Sequence, residues 1–432
     1  MKRTIILTAA IALVISSCSN RKPVADTNDY SGFMIDGLVK KQAESINQEI
    51  DFWQNRLEAD TGSYVSMAEL ASYQLRLFKL TGDISSLRKS DSLLKRSSAK
   101  LNHTNPELLY SLSQNSVTQH QFIEAASYIN EAEKAKGDLY TIRLLQFDAY
   151  MELGRFAEAW KSLESLKEKD AFDYLVRKAK WEDHKGNLDE AIVLMEQAFE
   201  KVKDKNKSLY CWTLSNLADM YGHAGRVKES YNSYLAVLRK DPANLYCLKG
   251  IAWIVYSNDH NTTEATRILN YILTQASMPD LKLMLAEIAE MEGNLAKKEQ
   301  LLKEFTKTVS APGYGDMYNK YLIAIYTEQT GELEKAHAIA EKELQNRFTP
   351  ETCGWMAWVE YKMGNIEKAT ELVKGCVTGK TFEPEAQLHA AYIFAAAGQT
   401  TTAKTMLKEC LESGYELGPV TVREIKEKIA ML

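Results

Sequence analysis

The sequence predicts an all-α solenoid of about ten helix-turn-helix units, with a capping helix at each end. Three observations predict it. A turn mark, usually glycine, recurs at 82, 120, 154, 186, 225, 260, 293, 331, 364 and 398, a mean step of about 35 residues. Small residues hold fixed positions around that mark. The composition, with 8 prolines and 21 glycines in 432 residues, favours helix.

The first segment is not part of the array. Met1-Lys2-Arg3 is followed by an apolar run from Thr4 to Ile15, then by Ser16-Ser17-Cys18. A basic start and an apolar core of about a dozen residues read as a secretory signal over 1–17. The run is short of the roughly twenty apolar residues that cross a bilayer. Residues 18–31 are rich in polar residues without apolar period and read as a flexible tether. Residues 32–62 read as an N-terminal capping helix, with Ile46, Ile50, Trp53 and Leu57 on one face.

The array is expected over 63–418. Five residues after each mark stands a small side chain: Ala125, Ala159, Ala191, Ser230, Ala265, Ala336, Ala369 and Ala403. Lys298 and Leu87 depart from the rule. Seven before the mark stand Ala179, Ala218, Ala286, Ala324, Ala357 and Ala391. Small residues at both places let paired helices approach closely. Glycine at the mark ends the first helix in a left-handed conformation. His120 and His260 keep the spacing without it. Asp83, Asn187, Asn294 and Asn365 follow their glycines and are expected to cap the second helix. Residues 419–432 read as a C-terminal capping helix, apolar at Val422, Ile425, Ile429 and Leu432.

Two resemblances follow from these residues. Ile15-Ser16-Ser17-Cys18 resembles the bacterial lipobox, which implies cleavage before Cys18 and acyl chains on it. The basic Ser19-Asn20-Arg21-Lys22 behind it favours an outer-membrane lipoprotein facing the periplasm. The repeat resembles the tetratricopeptide family, best at Leu217-Ala218, Tyr221, Gly225, Tyr234 and Asp241-Pro242. That implies a right-handed superhelix binding extended peptides or helices on its concave face. Some members clamp a C-terminal carboxylate with Lys and Asn, but adjacent units here hold no such pair.

The formal net charge is -5, and loss of Lys2 and Arg3 with the signal takes it to -7. A mildly acidic chain without a basic stripe is a poor nucleic-acid binder. There is no P-loop, GxGxxG, HExxH or GxSxG, so neither cofactor, metal nor enzymatic activity is expected. Cys211, Cys247, Cys353, Cys376 and Cys410 are odd in number and form no CxxC. All five read as small core residues within helices rather than disulfide partners.

Six before the mark, the side chain changes along the array. Gln114, Asp148, Lys180 and Asp219 are polar, Ile254 interrupts and Glu287 is polar again. The last three are Ile325, Trp358 and Tyr392, with Tyr321, Tyr361 and, earlier, Trp212 on the same face. Exposed aromatics anchor partners. These six are therefore the candidate partner site, with Trp358→Ala and Tyr392→Ala expected to abolish capture without lowering the melting temperature. The expected role is an envelope-anchored scaffold for other envelope proteins or peptides. A glycan- or nutrient-binding lipoprotein, with sugars stacked on the aromatic half, is the alternative.

Overall fold

A computed structural model of the chain describes residues 22–166 and 169–432. The signal segment and Cys18 lie outside the described residues. Among these residues the regular structure is helical, with no strand. Ten antiparallel pairs stack in sequence, from Tyr64–Thr81 with Ile84–Lys100 to Pro384–Ala396 with Thr400–Glu412.

The small slots do what their size allows. Ala125, Ala159, Ala191, Ser230, Ala265, Ala336, Ala369 and Ala403 are fully buried where paired helices meet. Lys298, in the same slot, instead forms an ion pair with Glu290 at 2.6 Å. The turn glycine of the fifth unit, Gly225, has φ +71°. His120 and His260 take the same left-handed backbone, at +58° and +55°. The caps divide in two. Asp83 and Asn294 accept from the backbone N–H groups of Ser85 and Lys297. Asn187 and Asn365 do not cap. They donate at 2.7 Å to Glu182 and Glu360, buried carboxylates five residues earlier that need donors.

The units wind into a superhelix whose successive turns touch. Ser277 N–H donates to Thr81 C=O at 2.7 Å. Arg88 Nε donates to Gly313 C=O at 2.6 Å, and Asn346 to His120 C=O at 3.3 Å. Arg347 pairs with Glu152 of the earlier turn and Glu343 of its own, and its guanidinium lies over the rings of Phe122 and Trp355. The partners lie about 195 residues apart at some contacts and about 225 at others, roughly six repeat steps. The first turn edges therefore dock onto later loops. A Cβ on Gly154 would sit 2.1 Å from Phe348 O, whereas one on Gly225 would meet nothing within 4 Å.

Four expectations are corrected or extended here. Residues 22–31 are not a free tether. Val24 and Ala25 donate their N–H groups to the Asp259 carboxylate at 2.8 and 2.9 Å, and Tyr30 is 1% exposed with its hydroxyl on Glu264. Single apolar anchors in a polar stretch leave no period to read.

The N-terminal cap forms as Leu38–Ala59, and it spans two places. Leu57 joins the core of the first units, while Val39 joins that of the middle units.

The C-terminal helix packs Ile425, Ile429 and Leu432 into the core of the last units, as a cap does, and also reaches beyond them. It runs Gly414–Met431 with a break at Gly418. It lies against Thr400–Glu412 of the last unit and also against the first helices Lys207–His223, Leu245–Ser257, Leu281–Met291 and Pro384–Ala396, and so along the inner face.

Lastly, Cys353 and Cys376 form a disulfide. Cys376 sits in a π-turn, Val373–Val377, that ends the short helix Ile366–Leu372, and their Cα atoms are 6.3 Å apart. Cys211, Cys247 and Cys410 are buried thiols, as expected.

Two glycine variants test the contact between turns. Gly225→Ala is expected to cost about 1 kcal/mol by backbone strain alone. Gly154→Ala is expected to cost at least twice that, because the next turn must also move. Equal losses in chemical denaturation would remove the turn-on-turn contact as a source of stability.

Candidate functional site

The inner face of the last five units and the final helix line a half-open channel of about 830 Å³. Its aromatic centre is Trp358, on the helix Pro350–Lys362. Trp358 stacks on His389 with ring centroids 4.0 Å apart and planes 7° apart. Its Nε1–H donates to Glu328 at 2.9 Å, and the Lys362 ammonium lies 4.6 Å from its ring centroid. Glu328 belongs to another π-turn, Tyr326–Thr330, which replaces the last turn of the helix Asn319–Ile325. Tyr361 and Tyr392 complete the cluster at 5.1 and 6.0 Å.

The structure thus separates the six sequence candidates. Trp358, Tyr392 and Tyr321 line the channel, and Tyr361 supports Trp358 from beside it. Ile325 is buried among Phe305, Val309 and Leu322. Trp212 stands apart, 46% exposed and edge-on to Phe172. Trp358 is only 6% exposed, which corrects its reading as an exposed anchor. Tyr321, 39% exposed, is the aromatic that presents free surface in the channel.

A second group was missed. Trp253 stands seven before the His260 mark, where six other units carry alanine and only Leu75 and Phe147 are also large. That breach of the small-residue rule is a signal legible in sequence. Its Nε1–H donates to the Tyr415 carbonyl at 3.0 Å, and Ser257 Oγ donates to the same oxygen at 2.9 Å. The Tyr415 ring packs on Gly222, where a Cβ would lie 2.7 Å from it. Gly418 passes so close to Glu287 that a Cβ would lie 2.4 Å from the carboxylate. The channel therefore already holds a polypeptide, this chain's own C-terminal segment, gripped through the main chain. Beyond Tyr415 lies a smaller void of about 400 Å³, where Asp219 accepts from the hydroxyls of Tyr234 and Tyr246.

The channel leans acidic. Glu287, Glu290, Glu328, Glu383, Glu385, Glu416 and Glu424 face it, against Lys298, Lys320 and Lys362. Burial pushes Glu287 up to about 7, with Glu290 and Glu424 adding repulsion and the Tyr256 hydroxyl opposing. Burial and then Glu416 and Glu351 push Glu383 up to about 7 as well. Glu328 and Glu424 are also raised, chiefly by burial. Glu385 goes the other way, because Lys320 at 2.5 Å outweighs its burial. Burial pushes His389 down to about 4, so a neutral imidazole faces Trp358 near pH 7. Among the described residues, no three His, Cys, Asp or Glu converge as metal ligands, and no helix is long and apolar enough to cross a membrane.

No protein-family model matches the sequence, and no curated protein matches it. Solved structures do. The chain is similar to the hetero-tetramer Cut9-Hcn1 of the APC/C, at 13% identity over 94% of this chain and 90% of that one, with a TM-score of 0.43. A tetratricopeptide repeat protein of Parabacteroides merdae matches at 17% identity, 60% and 99% coverage and a TM-score of 0.35. A human IFIT1 dimer with m7Gppp-AAAA matches at 14% identity, 75% and 80% coverage and a TM-score of 0.40. These likenesses accompany the helical-repeat form and bring no partner with them.

Trp358→Ala is now expected to lower stability by about 3 kcal/mol or more, since it empties a buried, hydrogen-bonded site. An unchanged melting temperature would contradict that packing. Glu287 gives a pH test. Its folded pKa exceeds its unfolded value of 4.5, so the folded state binds the extra proton between the two. The resulting stability is present below pH 4.5 and fades as pH rises through about 7. Glu287→Gln should therefore melt above the parent at pH 8 and close to it at pH 5. The same difference at both values would contradict the shift.

Proposed function

We propose that this protein is a non-enzymatic interaction scaffold of a bacterial cell envelope. It is held by lipid on Cys18, in an outer membrane facing the periplasm, and its inner channel takes an extended segment of a partner protein. One observation carries the reading. The channel holds the chain's own segment through the Tyr415 carbonyl, a group that every polypeptide offers. The surplus of carboxylates favours a partner segment bearing Lys or Arg.

The disulfide Cys353–Cys376 supports an exported location, because such bonds persist in oxidising compartments. The signal-like start and the lipobox resemblance support the anchor. Glycan capture is the less favoured reading. Sugar stacking needs an open aromatic face, and Trp358 is covered by His389 and Lys362.

A photo-crosslinking residue at Tyr321 in intact cells tests the channel. A protein adduct is expected, absent when the same group stands at Trp212. No adduct from a folded variant, or equal adducts at both sites, would contradict channel binding. Cys18→Ala should move the protein from the membrane to the soluble fraction. Retention in the membrane would contradict the anchor.

A further inference from the structure

The segment that follows Cys18 is bound to the solenoid at a definite place. Two consecutive N–H groups, of Val24 and Ala25, point at the two oxygens of Asp259. Asp26 N–H donates to the Tyr231 hydroxyl at 3.0 Å, and that hydroxyl also approaches Asp29 at 3.1 Å. Lys228 Nζ donates to Val24 C=O at 3.2 Å. Tyr30 is buried against the helix Thr262–Gln275 with its hydroxyl 2.7 Å from Glu264. The docking site lies between the turns at Gly225 and His260.

From this we infer that the turn edge around Gly225 and His260 is the membrane-facing surface of the protein, and that its occupant is the lipid bilayer. The inference rests on lipidation of Cys18. Only six residue steps separate Cys18 from Val24, the first docked residue, a reach of at most about 22 Å. A lipidated Cys18 sits at the bilayer surface, so the docking site lies no further than that from it. The edge is open in the way a contact surface requires. Gly225, like the later turn glycines Gly293, Gly331, Gly364 and Gly398, has no atom within 4 Å of a Cβ position, whereas the turn edges of Gly82, Gly154 and Gly186 are covered by the next superhelical turn; among the open edges, the docked segment selects this one. A free tether of the same composition would let the solenoid tumble. A docked one sets its orientation, and with it which end of the inner channel faces away from the membrane.

The test uses the full lipidated chain, purified from membranes and reconstituted into phosphatidylcholine vesicles carrying a headgroup spin label. A fluorophore is placed at Thr263→Cys, exposed on the docking edge, or at Asp204→Cys, beyond the far end of the helix Lys207–His223. That helix has 17 residues, about 25 Å. The other free thiols, Cys211, Cys247 and Cys410, are buried. Quenching at Thr263 is expected to exceed that at Asp204 at least threefold. Inserting twenty Gly/Ser residues after Ser19 should abolish the difference while the protein stays vesicle-bound. Equal quenching at the two sites in the parent, with the protein bound, overturns the orientation and leaves the anchor standing. Binding that survives Cys18→Ala overturns the anchor and the orientation with it.

Discussion

Contact between successive superhelical turns is the constraint on which the rest of this molecule depends. An open solenoid buries each unit only against its neighbours. Here the edge of one turn also meets loops about 195 residues further on, at Thr81 with Ser277, Gly154 with Phe348 and Gly186 with Phe382. Arg347 serves both turns, because a guanidinium can pair with carboxylates and lie over rings at once. On the concave face, the last five units and the final helix together line a half-open channel.

Partial enclosure explains the chemistry inside. Carboxylates that would be ordinary on an open surface lose water, and Glu287 and Glu383 rise to about 7. His389 is kept neutral for the same reason and stacks flat on Trp358. The final helix belongs to this interior. Its break at Gly418, φ +82°, turns the chain past Trp253 and Glu287, where no side chain has room. The two chain ends therefore do opposite work. The C-terminal segment fills the inside, while the N-terminal segment straps the outside near Gly225 and His260.

Departures from regular helix decide the details at the site. The π-turn Tyr326–Thr330 carries Glu328 to the Trp358 indole, and the π-turn Val373–Val377 brings Cys376 to Cys353. The closed loop spans 23 residues, a size at which a disulfide contributes about 3 kcal/mol. Periodicity reading assumes 3.6 residues per turn throughout, so it assigned both cysteines to helix cores and missed the bond.

The sequence by itself determined the unit and its count. Helix ends, left-handed turns at Gly225, His120 and His260, and buried small slots are local consequences of residue size and backbone freedom, and they recur in phase. It also carried Trp253, a large residue in a small slot, although its partner was not legible. Only the tertiary structure decided how tightly the units wind, that Trp358 is buried while Tyr321 is exposed, and where both chain ends lie. The reason is that these rest on contacts across some 160 to 235 residues, such as Tyr415 on Trp253 and Val24 on Asp259, and no short-range pattern records such pairs.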